Sequence, residues 1–328
     1  MVKDLTEMNK YSKKDIKNLN SMGFRDTFGK ELIEIAKVYP DIVVVASDLS
    51  DATRVTEFSK QFPRNFFQVG IAEQNMISIA AGLSLNGKIC FCTTFASFAA
   101  LRCCEQVRND ICYQNLNVKI IGIDSGVSTG YLGVTHYGLE DIAIERAFSN
   151  MTVISPSDCL QFARLLWKLV ALSGPVYVRF TGGKNVPAIY DEDRQFNIGK
   201  AVILKEGDEV NLIATGLMVS EAVKASELLK GKGIGVGVID MHTIKPLDAE
   251  AVRNAAKRAR LSVTVEEHNI TGGLGSAVAE VIAESGLNSR LVRLGLPDEF
   301  FNVGSRDALL KRYGLSSENI ADVILKNL

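Results

Sequence analysis

Two side chains stand out for the chemistry they could do. Glu73, in GIAEQN, is an acid between a strand-like run (Phe66, Phe67, Val69) and an apolar helix (Met76, Ile77, Ile79, Ala80, Ala81, Leu83). His136 lies in the glycine-rich stretch SGVSTGYLGVTHYG, residues 125–138. A carboxyl held against a basic nitrogen, and an imidazole on a loop, are groups that general acid–base catalysis uses. Phe95 and Phe98, in TTFASF, are three apart, so both can face one side of a helix start as an apolar wall. Each also has a plainer reading. A carboxylate in a first helical turn complements the macrodipole, aromatics most often fill cores, and a lone histidine is more often structural. Placement favours function, because all three stretches fall at strand ends, where open α/β sheets put ligands.

The elements that must position these residues read as alternating strands and helices. Residues 25–39 carry a helical pattern that Pro40-Asp41 ends. The run 64–86 reads as a short buried strand, a turn at Gly70 and an apolar helix. IVVVAS (42–47), KICFCTTFAS (88–97), VKIIGID (118–124), MTVISPS (151–157) and PVYVRF (175–180) read as strands. Their continuous apolar runs suit parallel strands buried on both faces. One long helix is expected from about Phe98 to Tyr113, with others at 139–148 and 158–172. Residues 181–199 lack apolar periodicity and read as a linker. Beyond it, VNLIAT, GVGVID, LSVTVEE and SRLVRLGL are strands of a second, smaller unit. GGLGSAVAE (272–280) lacks the GxGxxG spacing and reads as a tight turn opening a helix. The fold class is therefore α/β, two domains with mostly parallel sheets. The boundaries are an arm at 1–20, a first domain at 21–185, a linker at 186–200 and a second domain at 201–328.

Composition narrows the function classes. At 328 residues the chain is long for one core, and two domains are the expectation. A net charge of −1 offers no basic footprint for nucleic acid. No apolar run approaches the roughly 20 residues of a membrane span, and the polar N-terminus lacks the apolar core of a secretory signal. It reads as a frayed arm or a first helix packing on a partner. Cys90, Cys92, Cys103, Cys104 and Cys112 crowd one region, with Cys159 apart. No CxxC occurs and the three histidines are distant in sequence, so a zinc site is not expected. Free thiols in a reducing cytoplasm fit best.

From about Arg25 to the C-terminus the chain resembles the C-terminal part of a transketolase, a pyrimidine-binding domain followed by a small C-terminal domain. GIAEQN, IATGLMVSEAVKASELL, VIDMHTIKPLDAEAV and EEHNITGGLGSAVAEV carry the likeness in order. It is most similar to the separately encoded C-terminal subunit of split transketolases. The resemblance implies roles. Glu73 would bond a pyrimidine nitrogen of thiamine diphosphate and favour the imino tautomer that deprotonates the thiazolium. Phe98, with Phe95 beside it, would wall the aminopyrimidine. Asp48 would lie near the cofactor and the subunit contact, and His136 would face the substrate. Arg25 matches a phosphate-binding arginine. The family's diphosphate and Mg²⁺ are commonly held through a GDG…N segment, and no GDG occurs here. The resemblance thus implies an N-terminal partner subunit that carries it, in an α₂β₂ assembly.

Departures from the family pattern point at substrate. The family's acidic GEDGPTH-like loop is replaced by one with Tyr131 and Leu132, Asp124 stands where a histidine is usual, and Gly182 stands where a second phosphate arginine falls. Losing a guanidinium fork and gaining an aspartate disfavours a phosphate dianion. A nucleotide-linked, free or modified sugar, or a specialised aldehyde, is expected as one substrate. Two other readings share the fold: the beta subunit of a 2-oxo acid dehydrogenase, which would require a lipoyl-bearing partner, and a non-catalytic regulatory subunit. Glu73, Phe98 and His136 together argue against the second. Deoxyxylulose-phosphate synthase is a further relative, normally one chain.

Overall fold

The β-branched runs become the central strands of two parallel sheets in the computed structural model, which describes residues 10–328. The first sheet comprises β1 (Ile42–Ala46), β2 (Phe66–Gln68), β3 (Ile89–Phe95), β4 (Val118–Ile123), β5 (Thr152–Ile154) and β6 (Val176–Arg179). The second comprises β7 (Val202–Lys205), β8 (Val210–Ala214), β9 (Val236–Asp240), β11 (Leu261–Asn269) and β12 (Arg290–Leu296). Between β9 and β11 in sequence, β10 (Thr243–Lys245) leaves the second unit and joins the first sheet. The strand orders are β10-β5-β6-β4-β3-β1-β2 and β12-β11-β8-β9-β7. All pairs are parallel except β10 with β5 and β7 with β9. Every residue of β1 and β4 is buried, as two helix-covered faces require.

Four sequence expectations are corrected. The strand before Glu73 is not buried: β2 pairs with β1 alone at the sheet edge, and Phe67 is half-exposed. The helix expected at 98–113 is broken into Phe98–Arg102, Cys104–Gln106 and Val107–Cys112, the first and last being wide π-type turns. Phe95 ends β3 rather than starting that helix. Within the N-terminal arm, Lys13–Met22 forms a helix that packs on its own domain, against helices Phe24–Val38 and Cys159–Ala171. A reciprocal Ser12–Asp15 capping box starts it. Residues 1–9 of the arm lie outside the described residues.

An aromatic cluster of Phe24, Phe28, Phe162 and Phe180 locks the helices Phe24–Val38 and Cys159–Ala171 onto this sheet, with ring centroids 4.9–6.4 Å apart. Each ring contributes about 2–3 kcal/mol of burial. This packing fixes the first turn of Phe24–Val38, and with it Arg25. The linker is pinned as well. Asp158 accepts the backbone N–H groups of Ile189 and Tyr190, both at 3.0 Å, and Asp240 accepts the Tyr190 hydroxyl at 2.6 Å. Gly272, with φ +81°, makes the tight turn before helix Leu274–Glu284, as the sequence suggested. No helix among the described residues is long and apolar enough to cross a membrane.

Candidate active site

Glu73 is the first residue of helix Glu73–Leu85 and is 2% exposed. A carboxylate this buried needs partners. Its Oε2 accepts from Arg102 Nη1 at 2.6 Å, and its Oε1 has only a long contact, 3.4 Å, from the Thr94 hydroxyl. Beside it, Phe95 and Phe98 meet edge to face at 5.6 Å. His136 closes the cluster, 5.6 Å from the Phe95 ring and 5.3 Å from Phe98. The loop of His136 therefore comes back onto the end of β3, although about forty residues separate them in sequence. Four of the singled-out residues thus gather at one place.

His136 is held by backbone closure behind it. Gly126 and Gly138 exchange hydrogen bonds at 2.8 and 3.0 Å, making the neck of the loop. The Tyr137 hydroxyl donates to Gly130 O at 2.6 Å. From the second unit, Glu267 accepts the Val127 N–H at 3.1 Å and pairs with Arg306. A Cβ at Gly126 would stand 2.5 Å from that carboxylate, so only glycine lets the bolt close. Arg179, buried, pairs with Asp141 at 2.8 Å and donates to Gly138 O and Glu267 O. His268 lies under this network, and burial pushes its pKa down to about 4. Tyr131 and Leu132 at the loop tip are exposed.

Arg25 and Asp124 make the second grouping. Asp124 follows β4 with φ +55° and is buried, and its carboxylate takes a two-pronged ion pair from Arg25. A side chain at Gly182 would collide with the Asp124 carboxylate and press on the Arg25 guanidinium. Asp48 shares no hydrogen bond or ion pair with either grouping, and it leaves β1 two residues past the Ala46–Thr93 pair with β3. It follows β1 with φ +53°, its N–H donates to Gln68 Oε1 at 2.6 Å, and its side chain is exposed.

Arg102, Thr94, Glu267 and Arg306 were not singled out from sequence. Arg102 had one usable signal, its position four residues after Phe98 on a helical segment. The Glu267–Arg306 bolt had none, because its partners lie in different elements.

The residues fit half of a thiamine cofactor. A buried carboxylate with one oxygen nearly unpartnered, next to an aromatic wall, suits a heteroaromatic ring carrying a basic nitrogen. Among the described residues no group of three or more His, Cys, Asp or Glu is arranged to hold a metal ion.

Comparison with known proteins gives the family. The transketolase pyrimidine-binding domain model matches residues 20–185, and the transketolase C-terminal domain model matches 199–320. The chain belongs to the transketolase family. It is 42% identical over 296 residues to a 6-deoxy-6-sulfo-D-fructose transketolase subunit of Clostridium sp., covering 90% of this chain and 91% of that one. It is 39% identical over 297 residues to a subunit of the apulose-4-phosphate transketolase of Actinobacillus succinogenes, covering 90% and 95%. Among solved structures, a split-gene transketolase in an inactive β4 tetramer matches with TM-score 0.84 and 40% identity, over 93% of this chain and 98% of that one. Membership brings dependence on thiamine diphosphate, whose thiazolium supplies the carbanion chemistry.

Proposed function

We propose that this chain is the pyrimidine-side subunit of a two-subunit transketolase that moves a two-carbon ketol unit from a ketose donor to an aldehyde acceptor. The carrying observation is Glu73: buried, at a helix start, with Oε1 nearly free beside Phe95 and Phe98. In this reading Glu73 shares a proton with the cofactor's ring nitrogen, Phe95 and Phe98 wall the ring, and His136 faces the reacting carbon of the substrate. Asp48, exposed after β1, lies toward the cofactor and the partner contact. The diphosphate and Mg²⁺ belong to an N-terminal partner subunit with a GDG-type segment, in an α₂β₂ assembly. The domain division at 186–200 and a cytoplasmic location, in keeping with six free cysteines, are part of the same reading.

The substrate class follows from Arg25 and Asp124. A guanidinium already paired with a buried carboxylate offers little to a phosphate dianion. Exposed Tyr131 and Leu132 replace acids that would bond sugar hydroxyls. We infer that one substrate is a modified or unphosphorylated sugar, or a specialised aldehyde. The relatives named for sulfofructose and apulose phosphate support a specialised sugar; the second name carries a phosphate, so it speaks for the modified skeleton and not for an unphosphorylated substrate. The test is co-purification of the chain with its partner, followed by a donor and acceptor screen with thiamine diphosphate and Mg²⁺. Ketol transfer to a non-standard acceptor supports the reading. Equal turnover of ribose 5-phosphate and unphosphorylated acceptors refutes the substrate assignment, and a requirement for a lipoyl protein refutes the reaction.

A further inference from the structure

Arg102 touches two of the three members of the proposed aminopyrimidine site, Glu73 and Phe98. Its Nη1 donates to Glu73 Oε2 at 2.6 Å, and its guanidinium carbon lies 4.4 Å from the centroid of the Phe98 ring. Both contacts come from one local feature. Phe98 and Arg102 lie four apart on a helical segment, a spacing that puts both on one face, and that segment is a π-type turn. Such turns are uncommon, and they recur at functional sites. A planar guanidinium can stack on a ring and bond a carboxylate with the same group, and an ammonium cannot reproduce that. The pair is asymmetric, since Glu73 is 2% exposed and the Arg102 side chain 43%. Arg102 therefore reaches in from the surface to a carboxylate whose other oxygen, Oε1, meets only the Thr94 hydroxyl at 3.4 Å.

We propose that Arg102 is a positioning residue for thiamine diphosphate, fixing Glu73 through Oε2 so that Oε1 is presented to the ring, and pinning Phe98 beside it. The proposal rests on the functional reading above. Arg102 makes no claim on the reacting atoms and acts through Glu73 and Phe98.

The test uses the assembled two-subunit enzyme and thiamine diphosphate with Mg²⁺. Affinity is read by calorimetry, and ring environment by near-ultraviolet circular dichroism of the bound cofactor. Arg102→Met weakens binding by about 10- to 100-fold, the range for a lost charge-assisted hydrogen bond, and changes the dichroism. Arg102→Lys keeps the charge and loses the stacked plane, so it restores part of the affinity. In a Glu73→Ala background the further change to Met costs clearly less, because only the contact with Phe98 is then left to lose. Arg102 is partly exposed, and thermal unfolding of each variant checks that the fold is intact. Affinity equal to or tighter than wild type in Arg102→Met overturns the proposal, since the guanidinium would then be idle or standing in the ring's place. Equal penalties with and without Glu73 overturn it too. A wild-type complex that binds no thiamine diphosphate would overturn the functional reading itself, a separate and recognisable failure.

Discussion

The Asp124 carboxylate fills the space that any side chain at position 182 would need. The aspartate after β4 and the glycine after β6 are therefore fitted to one another. An arginine at 182 cannot coexist with this aspartate, and Arg25, left without a second guanidinium, turns to Asp124. Asp124→Asn should free Arg25 and raise kcat/KM for phosphorylated substrates about tenfold relative to unphosphorylated ones. Gly182→Arg alone should misfold or lose activity, and combined with Asp124→His it should recover. A specificity ratio that Asp124→Asn leaves unmoved would show that Arg25 does not meet substrate.

Glu73→Gln keeps the volume of the side chain and removes its capacity to share a proton. Turnover should fall by about 10²- to 10⁴-fold, the range for a lost general acid–base group. The melting temperature should hold, since a neutral amide suits a buried site and Arg102 is open to water. Near-normal turnover in this variant would remove Glu73 from the mechanism.

Much of the site could be read in the chain because it rests on local grammar. Glu73 follows a turn glycine and opens an apolar helix, and His136 sits in a glycine-rich loop. The strand runs were legible for the same reason, since doubly covered parallel strands are apolar throughout. What escaped depends on tertiary contact. β10 is three residues long and pairs with β5, about ninety residues upstream. β2 reads as buried from Phe66 and Phe67, yet its place at the sheet edge is set by topology, which no local pattern carries. The break of 98–113 into π-type turns is likewise invisible to a 3.6-residue count, although the four-residue spacing that brings Arg102 beside Phe98 is not.

His136→Ala should separate substrate from cofactor. The ring sits edge-on to Phe95 and Phe98 and makes no hydrogen bond with Glu73, its one side-chain bond being to the Thr135 hydroxyl. We expect the KM for the donor to rise and kcat to fall, with thiamine diphosphate affinity within about twofold of wild type. Steady-state kinetics beside calorimetry decides it. A large loss of cofactor affinity with intact KM would invert the assignment.

His242 gives a stability prediction away from the site. It is fully buried between β9 and β10, and burial pushes its pKa down to about 4, with Lys168 adding to the effect. Above pH 6.5 neither the folded nor the unfolded chain carries its proton, and its contribution is nil. As pH falls from 6.5 toward 4 the unfolded chain takes up a proton that the folded chain refuses, so stability drops across that window. At pH 5 the loss is about 2 kcal/mol. Asp158 and Asp240 titrate nearby with pKa raised to about 6, mainly by burial, and act in the opposite direction. They are present in wild type and in His242→Gln alike, so they largely cancel in the difference between the two proteins. Measured as unfolding free energies from urea titrations at pH 7.5 and 5.0, wild type should lose about 2 kcal/mol relative to the variant between the two pH values. Equal changes in the two proteins would mean that His242 does not titrate with unfolding.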